Sequence, residues 1–241
     1  MTEKIDKRKT YLLTLDTETC NGYLMANGKL NLQDSLVYDL GAIVHDKYGN
    51  VYEKINLIIP EVFYKLDNLM ATCYYNEKLP QYHDDIENGI RKVVKLERAK
   101  QIIKELCDKY NVKAIIAHNA QFDVRSTNNT IRYITKSSSR YFLPYGIEIW
   151  DSQKMAHDTI CKQKTYIKWC QENGYMTKHK KPRVKETAEI LYRYISGDND
   201  FIESHTGLKD CEIEMIITCK CLAQHKPMRK LAYEPKHEKK D

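Results

Sequence analysis

No stretch of this sequence approaches the ~20 consecutive apolar residues that a helix needs to cross a bilayer, so no helical membrane span is expected. The opening residues, MTEKIDKRKT, are charged and hold no apolar signal-peptide core, and a cytoplasmic protein is expected. Glycine and proline are scarce, 9 and 6 in 241 residues, and no linker, repeat or low-complexity run breaks the chain. One domain over residues 1–241 is expected, with its core over about 10–222 and a charged tail over about 226–241. A dominant charge of one sign is missing too: 39 Lys and Arg stand against 33 Asp and Glu, a net of +6. That balance excludes a histone-like polycation and is compatible with a polyanionic partner without requiring one. The eight cysteines lack the doubled C-x2-C spacing of zinc sites, since Cys219, Cys221 and His225 have no second pair to join them. Free, largely buried thiols are the simplest reading in a reducing cytosol.

What the sequence does contain is a change of period along the chain. Residues 11–16 form a short apolar run, and 36–45 (LVYDLGAIVH) a second. The turn residues DKYGN separate that run from VYEKINLIIP, which alternates until Pro60, so strands two and three form an antiparallel hairpin. Over 61–110 the apolar residues fall at helical spacing: Ile86, Ile90, Val93 and Val94, then Leu96, Ile102, Ile103 and Leu106. VKAIIAHN reads as a fourth strand, FDVRSTNNTIRYIT as a helix and IEIWD as a fifth strand. The remainder to Gln224 is helical, broken near Gly174, residues 180–182 and Gly197. Three strands followed by strands alternating with helices predict a mixed α/β sheet with an antiparallel member.

The first strand ends in LLTLDTETC, where Asp16 and Glu18 are one residue apart. On a strand such residues share a face, so two like charges are held together and each disfavours ionisation of the other. A second D-x-E, Asp85 and Glu87 in HDDIENG, reads as the first turn of a helix, where acids favour the dipole. Position separates the two pairs, because functional groups of open α/β sheets gather beyond strand ends. More acids reach that edge. Asp123 follows the fourth strand in HNAQFD, and Asp151 closes IEIWD. Asp210 opens a final helix after His205 in ESHTGLKDCEIE.

The order DTET, HNAQFD, HTGLKD resembles the three exonuclease motifs of the DnaQ-like superfamily, and specifically its DEDDh branch, which includes RNase T. The resemblance covers roughly residues 10–222. It implies an RNase H-like five-stranded mixed sheet with strand two antiparallel, flanked by helices. It implies 3′–5′ removal of nucleotides from nucleic acid, with single-stranded DNA favoured and an exoribonuclease like RNase T as the alternative. A non-catalytic nucleic-acid-binding module on the same fold is the reading from another class. Position by position, Asp16, Glu18, Asp123 and Asp210 match the metal-binding acids and His205 the general base. Two divalent cations, Mg²⁺ or Mn²⁺, are implied; such ions reverse the local electrostatics and keep crowded acids ionised. About 3.5–4 Å apart, they stabilise the attacking and leaving oxygens of an in-line displacement.

A tyrosine branch of the superfamily uses Y-x-x-x-D, which Tyr194 to Asp198 satisfies, but Tyr194 reads as a helix end before Gly197. The sequence departs from the family at Cys211, where alanine is frequent, and at Thr206 and Gly207. Thr17, Thr19, His118, Asn119 and Phe122 lie where the family meets the terminal nucleotide; Phe122 is either a stacking surface or core. Asp123 could instead cap its helix. Asp151 is read as supporting structure. TKHKKPRVK (177–185) is either a phosphate-tracking patch or a solvated loop. Proofreading would require a separate polymerase or other replication or repair partner.

Overall fold

The computed structural model describes residues 5–20, 34–65, 70–71, 73, 76–136 and 141–233. Its centre is a six-stranded sheet in the order β4-β3-β2-β1-β5-β6. The strands are β1 (Tyr11–Cys20), β2 (Leu36–Asp46), β3 (Val51–Ile58), β4 (Lys92–Val93), β5 (Ala114–Ala117) and β6 (Glu148–Asp151). β2 runs antiparallel to β1 and β3, whereas β1–β5, β5–β6 and β3–β4 are parallel pairs. The mixed sheet with an antiparallel second strand is as expected. β4 is the addition: two residues bonded to the end of β3, too short to show a period in the sequence.

The helices are α1 (Pro60–Phe63), α2 (Leu79–Glu87), α3 (Leu96–Tyr110), α4 (Gln121–Thr135), α5 (Ser152–Ala156, continuing through a π turn to Cys161), α6 (Lys164–Glu172), α7 (Ala188–Ser196) and α8 (Gly207–Leu222). Side chains on β1 alternate between two cores. Tyr11, Leu13 and Leu15 pack with Ile103 and Leu106 of α3 and Ile131 of α4. Leu12 packs with Ile116, Met155, Leu191, Ile213 and Ile217, on the face covered by α5, α7 and α8. β2 is buried along its whole length, which explains its unbroken apolar run.

Three expectations need correction. The helical spacing read through Ile86, Ile90, Val93 and Val94 ends with α2 at Glu87, and Val93 lies in β4. Asp85 and Glu87 lie in the last turn of α2, which starts earlier at Leu79 with Pro80 in its first turn. Asp85 there accepts a hydrogen bond from Arg91 Nε at 2.9 Å. The expected tail also starts too early: Asp151 N–H donates to Lys230 O at 2.7 Å and Ala232 N–H to Ile149 O at 2.9 Å, so this segment lines the outer edge of β6. Residues 235–241, expected to fray, lie outside the described residues. Seven of the eight cysteines are buried thiols and Cys219 is half-buried.

The contact that seats α8 is between two glycines. Gly41 pairs with Asp16 across β1–β2. A Cβ built on Gly41 would lie 2.2 Å from Gly207 C and 2.3 Å from Leu208 N, both backbone atoms. α8 can approach the sheet this closely only because both positions lack side chains. Gly41→Ala is expected to cost about 3 kcal/mol or more from overpacking, lowering Tm by roughly 6–12 °C in a thermal melt followed by circular dichroism. A melt shifted by less than about 2 °C would show that α8 is seated otherwise.

Candidate active site

β1 delivers Asp16 and Glu18 to the face that α8 covers, and a register shift between Glu18 and Thr19 ends the regular pairing there. α8 brings Asp210 in its first turn, 5% exposed. One carboxylate oxygen from each of Asp16, Glu18 and Asp210 lies within 4.8 Å of the others. A second group of the same tightness joins Glu203, His205 and Asp210. His205 holds a left-handed backbone, φ 50°, and its Nδ1 is 3.8 Å from Glu203 Oε2.

Asp123 comes from the other side. It lies in the first turn of α4, whose N-cap is Ala120, so the helix-cap reading is not realised. Thr17, alternating to that face of β1, donates its hydroxyl to Asp123 Oδ1 at 2.8 Å. Asp123 enters neither of the three-residue groups, but its charge bears on Asp16. Burial, then like charges, governs all these acids. Asp16 is pushed well above the carboxylate range by burial and by Glu214, Asp123, Glu18 and Asp210. Burial and Asp39 raise Glu18 to about 8. Burial raises Asp123 to about 7 against the Thr17 hydrogen bond, and burial with Glu203 raises Asp210 to about 9. His205 is lowered by burial and by Lys78, whose Nζ donates to Ser204 O.

The remaining sequence candidates divide. His118 donates Nε2–H to Glu186 O at 2.8 Å and accepts at Nδ1 from Ser152 Oγ at 2.9 Å, so both ring nitrogens are engaged in the fold. Asn119 is exposed at φ 63° and donates its N–H to Asp151. Asp151 also accepts from Gln153 and Lys154 N–H as the cap of α5, a supporting role. Thr19 and Phe122 are half-buried, with the Arg125 guanidinium 5.7 Å from the Phe122 ring. Tyr194 is turned away from the acids: its ring packs 4.9 Å from that of Tyr166, and its hydroxyl donates to Thr165.

Sequence reasoning passed over four residues here: Asp39, Glu203, Glu214 and Lys78. Asp39 is fully buried and accepts from Tyr82 Oη, Arg91 Nη1 and Gly207 N, which ties the start of α8 to β2. An acid in the middle of the apolar run LVYDLGAIVH was its available signal.

The donor set fits a divalent cation. All donors are hard carboxylate oxygens, and Asp210 Oδ1 is buried without a hydrogen-bond partner.

Sheet order and the antiparallel second strand define an RNase H-like mixed α/β fold. Among solved structures, a full-length 3′-exonuclease is similar, with a TM-score of 0.53 at 10% identity over 95% of this chain and 66% of its own. Exonuclease X in complex with 5′ overhanging duplex DNA is similar at 0.42 and 15% identity, over 89% of this chain and 92% of its own. For a zinc-ion form of E. coli exonuclease I with single-stranded DNA the values are 0.43 and 12%, over 86% and 39%. This chain thus spans less than two thirds of the first of these and well under half of the last. No family model and no curated protein matches the sequence. At such identities the likeness is one of fold. No helix among the described residues is long and apolar enough to cross a membrane.

Without a cation, burial and like charge favour the protonated form of these acids. A carboxylate raised in the folded state contributes stability that is complete below its unfolded value near 4 and is lost as pH rises through the folded value. The folded values run through about 7 for Asp123, 8 for Glu18 and 9 for Asp210. Tm in EDTA is therefore expected to fall between pH 5 and 9, and added Mn²⁺ to raise it most at the alkaline end. A Mn²⁺ effect that does not vary with pH would remove this electrostatic account.

Proposed function

We propose that this protein is a metal-dependent 3′–5′ exonuclease acting on the free 3′ end of nucleic acid, with single-stranded DNA favoured. The observation that carries the reading is the meeting of Asp16, Glu18 and Asp210 within 4.8 Å, with His205 in a group of the same tightness through Asp210. Asp16, Glu18, Asp123 and Asp210 would hold two divalent cations. Those ions, when bound, acidify the attacking water and neutralise charge on the phosphate oxygens.

The protein's own groups do the rest. Thr17 fixes Asp123 by its hydroxyl, and Asp39 holds the start of α8, so Asp210 is placed before substrate arrives. His205 accepts the water's proton. Its pKa lies below the ordinary imidazole value, so the ring is neutral and basic near pH 7. Thr19, Asn119 and Phe122 are the candidates for the terminal nucleotide, Phe122 by stacking on an unpaired base.

The basic segment 177–185 folds back on itself through the Met176–Val184 bridge. Lys180, Lys181, Arg183 and Lys185 line a groove of about 770 Å³ with Gln153 and His157. Glu186, which lines it too, bonds His118 at the base of the Asp123 loop, so the groove leads away from the site as a path for phosphates. Replacing Lys180, Lys181 and Arg183 by Glu should weaken binding of a long oligonucleotide and flatten its salt dependence, leaving turnover of a dinucleotide near normal. Equal losses on both substrates would place the groove outside the substrate path.

End-labelled DNA and RNA, single- and double-stranded, incubated with Mg²⁺, Mn²⁺ or EDTA, test the activity itself. Laddering from the 3′ end is expected with metal only, and none with Asp16→Ala. His205→Ala should lower kcat by roughly 10²–10⁴-fold with binding retained, and Tyr194→Phe should remain active. Cleavage surviving both EDTA and Asp16→Ala would sink the two-metal reading. Cleavage confined to RNA would make the protein an exoribonuclease. Binding without cleavage by any substrate would make it a nucleic-acid-binding module, and the polymerase-partner expectation would then lose its basis.

A further inference from the structure

Glu214, like Asp39 and Glu203, belongs to none of the three sequence motifs. Glu214 lies one turn beyond Asp210 on α8, so the two share a stripe of the helix that faces β1. It is 3% exposed, an unusual place for a glutamate on a helix otherwise rich in isoleucine and cysteine. The His118 backbone N–H faces its carboxylate, and Oε2 is buried with no hydrogen-bond partner. The charges that bear on it most are Asp123 and Asp210, and Glu214 is in turn the leading like-charge neighbour of Asp16. It therefore stands between the acid from β1, the acid from α4 and the acid from α8.

A buried carboxylate with an unused oxygen and negative neighbours is costly in the absence of a cation. Asp39 too has one oxygen, Oδ1, without a hydrogen-bond partner, but its charge is matched by Arg91. Glu214 is in neither group of oxygens that close within 4.8 Å, so it is not counted among the direct ligands. We propose that Glu214 is a fifth carboxylate of the metal centre, a positioning residue that accepts a hydrogen bond through Oε2 from cation-bound water and adds negative charge to the cation site. The His118 N–H at the start of the HNAQFD loop faces the same carboxylate. The inference rests on the reading of this cluster as a divalent-cation site.

Mn²⁺ alone, titrated calorimetrically into the full chain without nucleic acid, tests it. Glu214→Gln keeps the shape and an acceptor for the His118 N–H while removing the charge. It is expected to weaken Mn²⁺ binding by roughly 10–100-fold, as loss of outer ligands commonly does. Its metal-free Tm should be equal to the parent's or higher, because a crowded acid is gone. Glu214→Ala should show the same loss of affinity. Mn²⁺ affinity within about twofold of the parent in the folded Gln variant, or in the Ala variant if Gln does not fold, overturns the proposal. So does a metal-free Tm that falls sharply in both while affinity is kept, which would make Glu214 an anchor for the His118 turn only. The outcome is separable from the nuclease reading: a parent that binds Mn²⁺ but cuts nothing loses the proposed activity and leaves the role of Glu214 measurable.

Discussion

Two backbones touching at Gly41 and Gly207 set the geometry on which the rest of the site depends. Asp16 is the register partner of Gly41, so whatever lies on Gly41 lies beside Asp16. What lies there is the first turn of α8, which carries Asp210. A side chain at either glycine would lift that turn and take Asp210 away from Asp16 and Glu18. Asp39 reinforces the contact by accepting the Gly207 N–H at 3.0 Å. The departure of Gly207 from the family pattern is thus the counterpart of Gly41 on the neighbouring strand.

The same close approach creates an electrostatic problem that the protein solves in two different ways. Asp39 is fully buried but is matched: Arg91 reaches it at 2.8 Å, Tyr82 adds a hydroxyl, and Asp85 takes the other side of the guanidinium. A buried pair of this kind is stable only when its remaining hydrogen bonds are satisfied, and here most of them are. Among the described residues no guanidinium pairs with Asp16, Glu18, Asp123, Asp210 or Glu214. Lys78 moderates Glu18 and Asp210 from the edge, one ammonium against five carboxylates. Burial and like charge disfavour ionisation of these acids, and a bound cation would offset that cost.

The grouping of Asp16, Glu18 and Asp210, and of His205 with Asp210, was legible because these residues sit in short segments of fixed order, the first on a strand apolar enough to read. β2 was legible for the same reason, and its antiparallel direction followed from the tight DKYGN turn. The residues that shape the site from behind were not. Asp39 sits in an apolar run, where periodicity describes the run and passes over its single acid. Glu214 lies at helical spacing from Asp210, yet spacing alone does not distinguish a buried glutamate from one in solvent. Asp85 and Glu87 were assigned to the wrong end of their helix because Pro80, which marks its true start, was not weighed. β4 is two residues long and exists only through its pairing with β3.

The two H-x-x-x-x-D segments, HNAQFD and HTGLKD, show how one spacing yields two uses. Each turn into its helix contains one left-handed non-glycine residue, a conformation that the surroundings must hold in place. In the first it is Asn119, φ 63°, one residue after the histidine; in the second it is His205 itself, φ 50°. That offset of one residue separates the two imidazoles. His118 still follows the course of β5 and turns inward, where Ser152 and the Glu186 carbonyl take both its nitrogens. His205 is carried by the left-handed turn to Glu203 and Asp210, within 4.8 Å of both. The spacing sets which acid accompanies each histidine, and the position of the left-handed residue sets whether the ring supports the fold or faces the acids.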